Sequence, residues 1–184
     1  NTFGTVSKGL RVFDGGVTFS GSGANTVAGE LWLGDASATG NTSLTVSNTT
    51  LHSGSWLVIG GGNGTTNLST NVTLTNSTVS QGGGGVSLGY SNGLLGYLAN
   101  SSLTIDNSTL NTSNIDLARS TGSTAVCTVN GNSSINATGY IQIGIESGVG
   151  TMTLTGTSTC TTGNYLYVGS STGSTGTLEV QDSA

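Results

Sequence analysis

The sequence has no proline, one histidine, two cysteines and only three basic side chains, Lys8, Arg11 and Arg119, in 184 residues. Three cations are too few to neutralise a phosphate backbone, which excludes nucleic-acid binding. No apolar run approaches 18 residues, so no segment is a candidate for membrane insertion. Good helix formers are scarce, because Gly, Ser, Thr and Asn make up 108 residues and all four are poor in helix interiors. The eight acids and His52 are scattered along the chain. Hydrolytic chemistry needs such groups clustered, so an enzyme is not expected, and neither is a cofactor or a metal. The net charge of −5 favours solubility without naming a partner. The chain starts at Asn1 with neither Met nor a charged-then-apolar leader, and reads as a mature product or a fragment. Its low Lys and high Ser, Thr, Asn and Gly content suits a secreted, extracellular or cell-surface protein.

What apolar residues there are recur with a period, which disordered chains lack. Two apolar positions around a variable one, usually followed by Gly, appear as Leu31-Trp32-Leu33-Gly34, Leu57-Val58-Ile59-Gly60 and Val86-Ser87-Leu88-Gly89. They continue as Ile115-Asp116-Leu117-Ala118, Ile141-Gln142-Ile143-Gly144 and Leu166-Tyr167-Val168-Gly169, at spacings of 26, 29, 29, 26 and 25. Leu10-Arg11-Val12 reads as a degenerate first copy. A second strand follows in each copy, from Val17-Thr18-Phe19 and Leu44-Thr45-Val46 through Leu178-Glu179-Val180. A third apolar point comes next at Leu51, Val79, Leu110, Ile135 and Cys160, with Val27 as a looser match.

Inside each strand the period of two sends the outer pair to one face. Between copies the longer period stacks equivalent strands in parallel, about 4.8 Å apart. One copy cannot bury its own apolar face, but a stack of copies can. The expected fold is therefore all-β: a single-stranded parallel β-helix, or β-solenoid, of about seven coils of 25–29 residues. It forms one domain over residues 1–184, with an irregular first coil over 1–29 and regular coils over 30–184. The glycines after the first strand mark corners that need positive φ. The loops between the first two strands, such as Gly61-Gly62-Asn63-Gly64 and Gly93-Leu94-Leu95-Gly96, vary most and belong on the surface.

The run Tyr165-Leu166-Tyr167-Val168-Gly169, then Gly173 and Thr175-Gly176-Thr177-Leu178-Glu179-Val180, resembles the repeat of autotransporter passengers and PEP-CTERM-associated surface proteins. The likeness runs from about residue 30 onward. It implies a right-handed β-helix, secretion and surface display. The many Asn residues and the first thirty positions depart from it.

Several residues invite a sharper reading. Asn48, Asn76, Asn107 and Asn132 each precede the third apolar point in an Asn-Ser/Thr-Ser/Thr-apolar run. They read as a corner ladder of stacked amides, since Asn tolerates the left-handed region. They are also candidate glycosylation sites among eleven Asn-x-Ser/Thr sequons, which include Asn63 and Asn67. Thr18, Thr45, Thr73, Thr104, Thr128 and Thr153 form an outward column that suggests an ice-binding face. The rank beside it, with Asp106 and Asn130, is too mixed, and strand propensity alone explains the threonines. His52 has no ligand set or triad partner in register. Asp14, Asp35, Asp106, Asp116 and Asp182 lack calcium-loop spacing, and Gly82-Gly83-Gly84-Gly85 precedes no Lys and no helix. Cys127 and Cys160 occupy inward positions and read as two reduced core residues. Trp32, Tyr140 and Tyr167 point outward. A glycan-binding stripe of these three lacks a polar constellation in the sequence.

The two ends carry the functional expectation. The last copy stops after its second strand, and Asn1 to Gly9, with Thr5-Val6-Ser7, resembles a third strand with no coil before it. Neither end has the polar cap that solitary solenoids use, and open sheet ends template further pairing. One reading is a structural protomer of a filament built by head-to-tail stacking. Thr5, Val6, Leu10, Leu178 and Val180 then form the assembly interface and the partner is a further copy of the chain. The alternative is a fragment of an adhesin-like passenger that binds glycans or other surface ligands through its side wall.

Overall fold

The alternation of apolar and polar side chains is realised as short strands joined into rungs. The computed structural model describes residues 5–34, 40–60, 68–90 and 99–182. The loops 61–64 and 93–96, Asp35 and the sequons at Asn63 and Asn67 lie outside the described residues. The first rung contains β1 (Thr5–Val6), β2 (Leu10–Val12) and β3 (Gly15–Ser20), and the second β4 (Ala24–Val27), β5 (Leu31–Leu33) and β6 (Thr42–Ser47). The third holds β7 (Thr50–Ser53), β8 (Leu57–Ile59) and β9 (Leu68–Thr75), and the fourth β10 (Thr78–Gln81), β11 (Val86–Leu88) and β12 (Ala99–Asp106). The fifth holds β13 (Thr109–Thr112), β14 (Ile115–Leu117) and β15 (Thr124–Asn130), and the sixth β16 (Ser134–Ala137), β17 (Ile141–Ile143) and β18 (Val149–Leu154). The last is made of β19 (Thr159–Thr162), β20 (Leu166–Val168) and β21 (Thr175–Val180).

Each rung gives one strand to each of three seven-stranded parallel sheets. Sheet 1 starts with β1, sheet 2 with β2 and sheet 3 with β3, and each adds every third strand thereafter. Seven rungs make six turns of a β-solenoid, in line with the repeat. In sheet 2, Leu33, Ile59, Leu88, Leu117, Ile143 and Val168 form one column. All but the last are fully buried. Columns of Val, Leu, Ile and Met from the other sheets complete a single core down the axis.

One column departs from expectation. Leu51, Val79, Leu110, Ile135 and Cys160 align in sheet 1. Their partner in the second rung is Asn25, while Val27 aligns with Ser53. Asn25 is buried, and its amide is satisfied by donating to Thr49 Oγ1 at 2.9 Å. A hydrogen-bonded Asn thus fills an apolar column, as burial of a polar group requires.

Two corners are turned by left-handed residues. Between sheets 2 and 3 these are Gly34, Gly60, Gly89, Ala118, Gly144 and Gly169, with φ from 58° to 81°. Gly144 shows why the position is demanding: at φ 74° an added Cβ would run into the Thr175 carbonyl oxygen in the rung above. The corner between sheets 1 and 2, left-handed only at Gly84 among the described residues, relies mainly on side chains. Thr112 Oγ1 donates to the Asn114 carbonyl at 3.1 Å, and Gln81 Nε2 to the Gly83 carbonyl at 2.6 Å.

Core and corner are separately testable by urea unfolding. Leu117→Ala should cost about 2–5 kcal/mol as a buried large-to-small change. Leu117→Asp should abolish the cooperative transition, because the charge has no partner in the core. Gly144→Ala should cost at least about 1–2 kcal/mol for the left-handed backbone alone. A wild-type midpoint for Gly144→Ala would contradict the corner geometry.

Candidate functional site

The corner between sheets 3 and 1 explains the Asn-Ser/Thr-Ser/Thr pattern residue by residue. Asn48, Asn76 and Asn107 turn the corner at φ 52°, 47° and 46°. Asn76 Nδ2 donates to Asn48 Oδ1 at 3.3 Å, so the amides stack along the rod. Asn132 does not continue this column. Gly131, at φ 63°, takes the corner, because one extra residue separates Asn130 from Ser134 compared with the rung below. Asn132 is the displaced neighbour, its backbone N–H donating to Asn107 Oδ1 at 3.2 Å.

The residue after each corner Asn forms a buried hydroxyl relay. The backbone N–H groups of Thr49, Ser77 and Ser108 donate to Ser77, Ser108 and Ser133 Oγ in the next rung, at 3.3, 3.0 and 3.2 Å. Ser77 and Ser108 Oγ in turn donate to the carbonyls of Thr75 and Asp106 at 2.7 and 2.8 Å. The third residue, Thr50, Thr78 or Thr109, starts the next strand. A shallow groove of about 510 Å³ follows this corner, lined by amides and hydroxyls without a charge. The sequons at Asn48, Asn76 and Asn107 therefore each have a complete structural role: a left-handed corner, a buried hydroxyl and an outward threonine.

The outer wall of sheet 2 concentrates the chain's remaining chemistry. Its strands present two outward columns. One is Arg11, Trp32, Val58, Ser87, Asp116, Gln142 and Tyr167, in strict register, with Val58, Ser87 and Asp116 buried under their neighbours. The other precedes each strand and is tied by backbone bonds from rung to rung: Glu30, Trp56, Gly85, Asn114, Tyr140 and Tyr165. Arg11 sits over the Trp32 ring at 5.2 Å and faces Glu30 at 3.9 Å. Tyr90 meets Trp32 edge-on at 6.0 Å. Arg119 lies over both Tyr90, at 5.3 Å, and Trp56, at 5.9 Å. Its Nη1 donates to Asp116 Oδ2 at 3.0 Å. Trp56 rests flat against Gly84 and Gly85, where an added Cβ would meet the ring within 3.0 Å. The glycine run is thus a seat for an indole.

Trp32, Tyr140 and Tyr167 were legible as outward aromatics, whereas Trp56, Tyr90 and the Asp116–Arg119 pair were not. The available signal was that Trp56, Tyr140 and Tyr165 each stand immediately before a sheet 2 strand. Asp116 is 2% exposed at its side chain and keeps Oδ1 without a partner, as do Ser87 Oγ below it and Trp32 Nε1. Burial pushes the Asp116 carboxyl above the ordinary carboxylate value, with Arg119 opposing and Glu146 adding to the rise.

The other candidates are simpler. His52 Nδ1 is hydrogen-bonded to Ser80 Oγ at 3.0 Å in the outward column of sheet 1. Among the described residues no three His, Cys, Asp or Glu side chains gather to hold a metal. Cys127 and Cys160 are unbonded thiols, pushed by burial up to about 12 and about 11. The outward threonines of sheet 3 do align from Thr18 to Thr153, but Glu179 ends the column and Asp106 and Asn130 interrupt its neighbour. The expected interface residues separate to the two ends: Thr5, Val6 and Leu10 lie in the first rung, Leu178 and Val180 in the last.

Two measurements check this geometry. Ser77→Ala should destabilise the fold by about 1–3 kcal/mol, since it strands the Thr49 N–H in a buried corner, while the Thr75 carbonyl keeps the Asn48 N–H. Asn76→Gly keeps the corner and should cost far less. Because the folded-state pKa of Asp116 is raised, the native state binds its proton more tightly than the unfolded chain. Asp116 thus penalises folding at neutral pH, and the penalty fades as pH falls through the raised pKa toward the ordinary value of 3.8. Asp116→Asn should remove that pH dependence from the chemical unfolding curve. The chain matches no protein-family model, no curated protein and no solved structure.

Proposed function

We propose that the chain is a structural unit of an extracellular or cell-surface rod, extended by stacking the first rung of one copy on the last rung of another. The observation that carries this reading is the match between the two end faces. Both present one strand from each sheet; the last rung exposes its apolar core and the first covers its own only in part, with Phe19 buried. In the last rung Leu166 is 43%, Val168 47%, Leu178 36% and Val180 61% exposed, although their column mates one rung below are buried. In the first rung Val6, Leu10, Val12 and Val17 are only partly covered.

Continuing the register predicts the contacts. Leu166 and Val168 meet Leu10 and Val12 of the next copy, Leu178 and Val180 meet Val17 and Phe19, and Thr162 meets Val6. Thr5 falls opposite Thr161, and Glu179 opposite Thr18. Charge agrees with the polarity: Lys8 and Arg11 against a single Asp14 in the first rung, Glu179 and Asp182 at the other end. Each ladder bond nets about 0.5–1.5 kcal/mol, and apolar burial adds about 25 cal/mol per Å², against the entropy of association. Such a contact is heterologous and propagates instead of closing. The functional load in this reading falls on shape and repetition; no residue is assigned a catalytic task.

A register-specific crosslink tests the proposal. The pair Thr18→Cys and Glu179→Cys, about 4.8 Å apart across the junction, suits a disulfide. Under oxidation it should give a ladder of multimers that the out-of-register pair Thr18→Cys and Thr177→Cys does not. A chain that sediments as a monomer at every concentration, with no multimers from the in-register pair, would reject the stacking reading.

A further inference from the structure

We infer that the outer wall of sheet 2 is a binding platform for a neutral, linear glycan lying along the rod axis. Six of the chain's seven Trp and Tyr residues stand on this wall: Trp32, Trp56, Tyr90, Tyr140, Tyr165 and Tyr167; the seventh, Tyr97, lies outside the described residues. The outward positions of the other two sheets are mainly threonine, serine and asparagine, with His52 the one ring among the described columns. A sugar ring has an apolar C–H face and a rim of hydroxyls that both donate and accept. Binding it takes flat aromatic surface beside convergent polar groups. This wall supplies both, with Gln142, Asn114 and the two acid–base pairs set between the rings and Ser87 buried beneath them.

Three details define the ligand further. Both arginines are paired within the wall, Arg11 with Glu30 and Arg119 with Asp116, so the platform carries no surplus positive charge to attract a polyanion. The aromatic positions run from the second rung to the seventh, a strip of about 24 Å at the spacing of parallel strands. That length suits several linked rings in a row and exceeds a single sugar. At the foot of the strip a cavity of about 540 Å³ opens beside Gly9, Arg11 and Glu30. The inference rests on the side wall and is independent of end-to-end stacking.

Intrinsic fluorescence reads the wall directly, because Trp32 and Trp56 are the chain's only tryptophans and both stand on it. Titration with cellotetraose and with chitotetraose should give a saturable emission change for at least one of them, insensitive to salt. Trp56→Ala, with Trp32 as the remaining reporter, should weaken that response about tenfold or more, as loss of an aromatic anchor does. Tyr167→Ala, at an exposed position in the last rung, should weaken it with the fold unchanged by circular dichroism. Thr73→Ala on the wall of sheet 3 should leave it intact. The inference is overturned if neither tetrasaccharide gives a saturable change, or if both aromatic variants bind as wild type. It is equally overturned if dextran sulfate binds in preference, with an affinity that falls as salt rises.

Discussion

The rod depends on one constraint: each coil must turn its corners so that the next coil lands about 4.8 Å above it in register. A single residue of slip would send every inward side chain of a strand to the outside. The corners prevent this by two different means. Gly60, Gly89 and Gly144 hold one corner with a left-handed backbone that needs no side chain. Asn48, Asn76 and Asn107 hold another, where the same backbone is shared by residues whose amides bond to neighbouring rungs. The hydroxyl relay through Ser77, Ser108 and Ser133 then locks rung to rung from inside the turn. The abundance of Asn, Ser and Thr, which looks like low complexity in the sequence, is the material of these corners.

The apolar columns were legible because they obey two periods at once, two within a strand and roughly 27 between coils. The repeat alone places Leu88 over Ile59, and the register agrees. Asn25 was not legible, because a polar residue in an apolar column is made acceptable only by Thr49, 24 residues away. Asn132 failed for a similar reason. Its sequon matched the repeat, while the extra residue beside Gly131 shifted it off the corner. Local pattern places residues that follow the repeat and misplaces those that a single insertion displaces.

The wall of sheet 2 was hardest to foresee. Arg119 meets Trp56 and Tyr90 from corners of other rungs, so no short window of sequence contains the cluster. Stacking assembles it, since parallel rungs bring residues 21–31 positions apart side by side. The same stacking gives the molecule three unlike walls. One is hydroxyl-rich, one mixes hydroxyls and amides, and one carries aromatics and paired charges. A repeat fold thus combines uniform mechanics along its axis with local chemistry on one face.

End-to-end stacking requires that the backbone ladders of the end rungs be completed by another copy. Amide hydrogen exchange as a function of protein concentration tests it most directly. The account predicts that β1 to β3 and β19 to β21 exchange quickly in dilute solution and gain protection together as concentration rises. Over the same range β8 to β14 should stay equally protected, because their ladders are already paired on both sides. Protection at both ends that does not change with concentration would contradict the account.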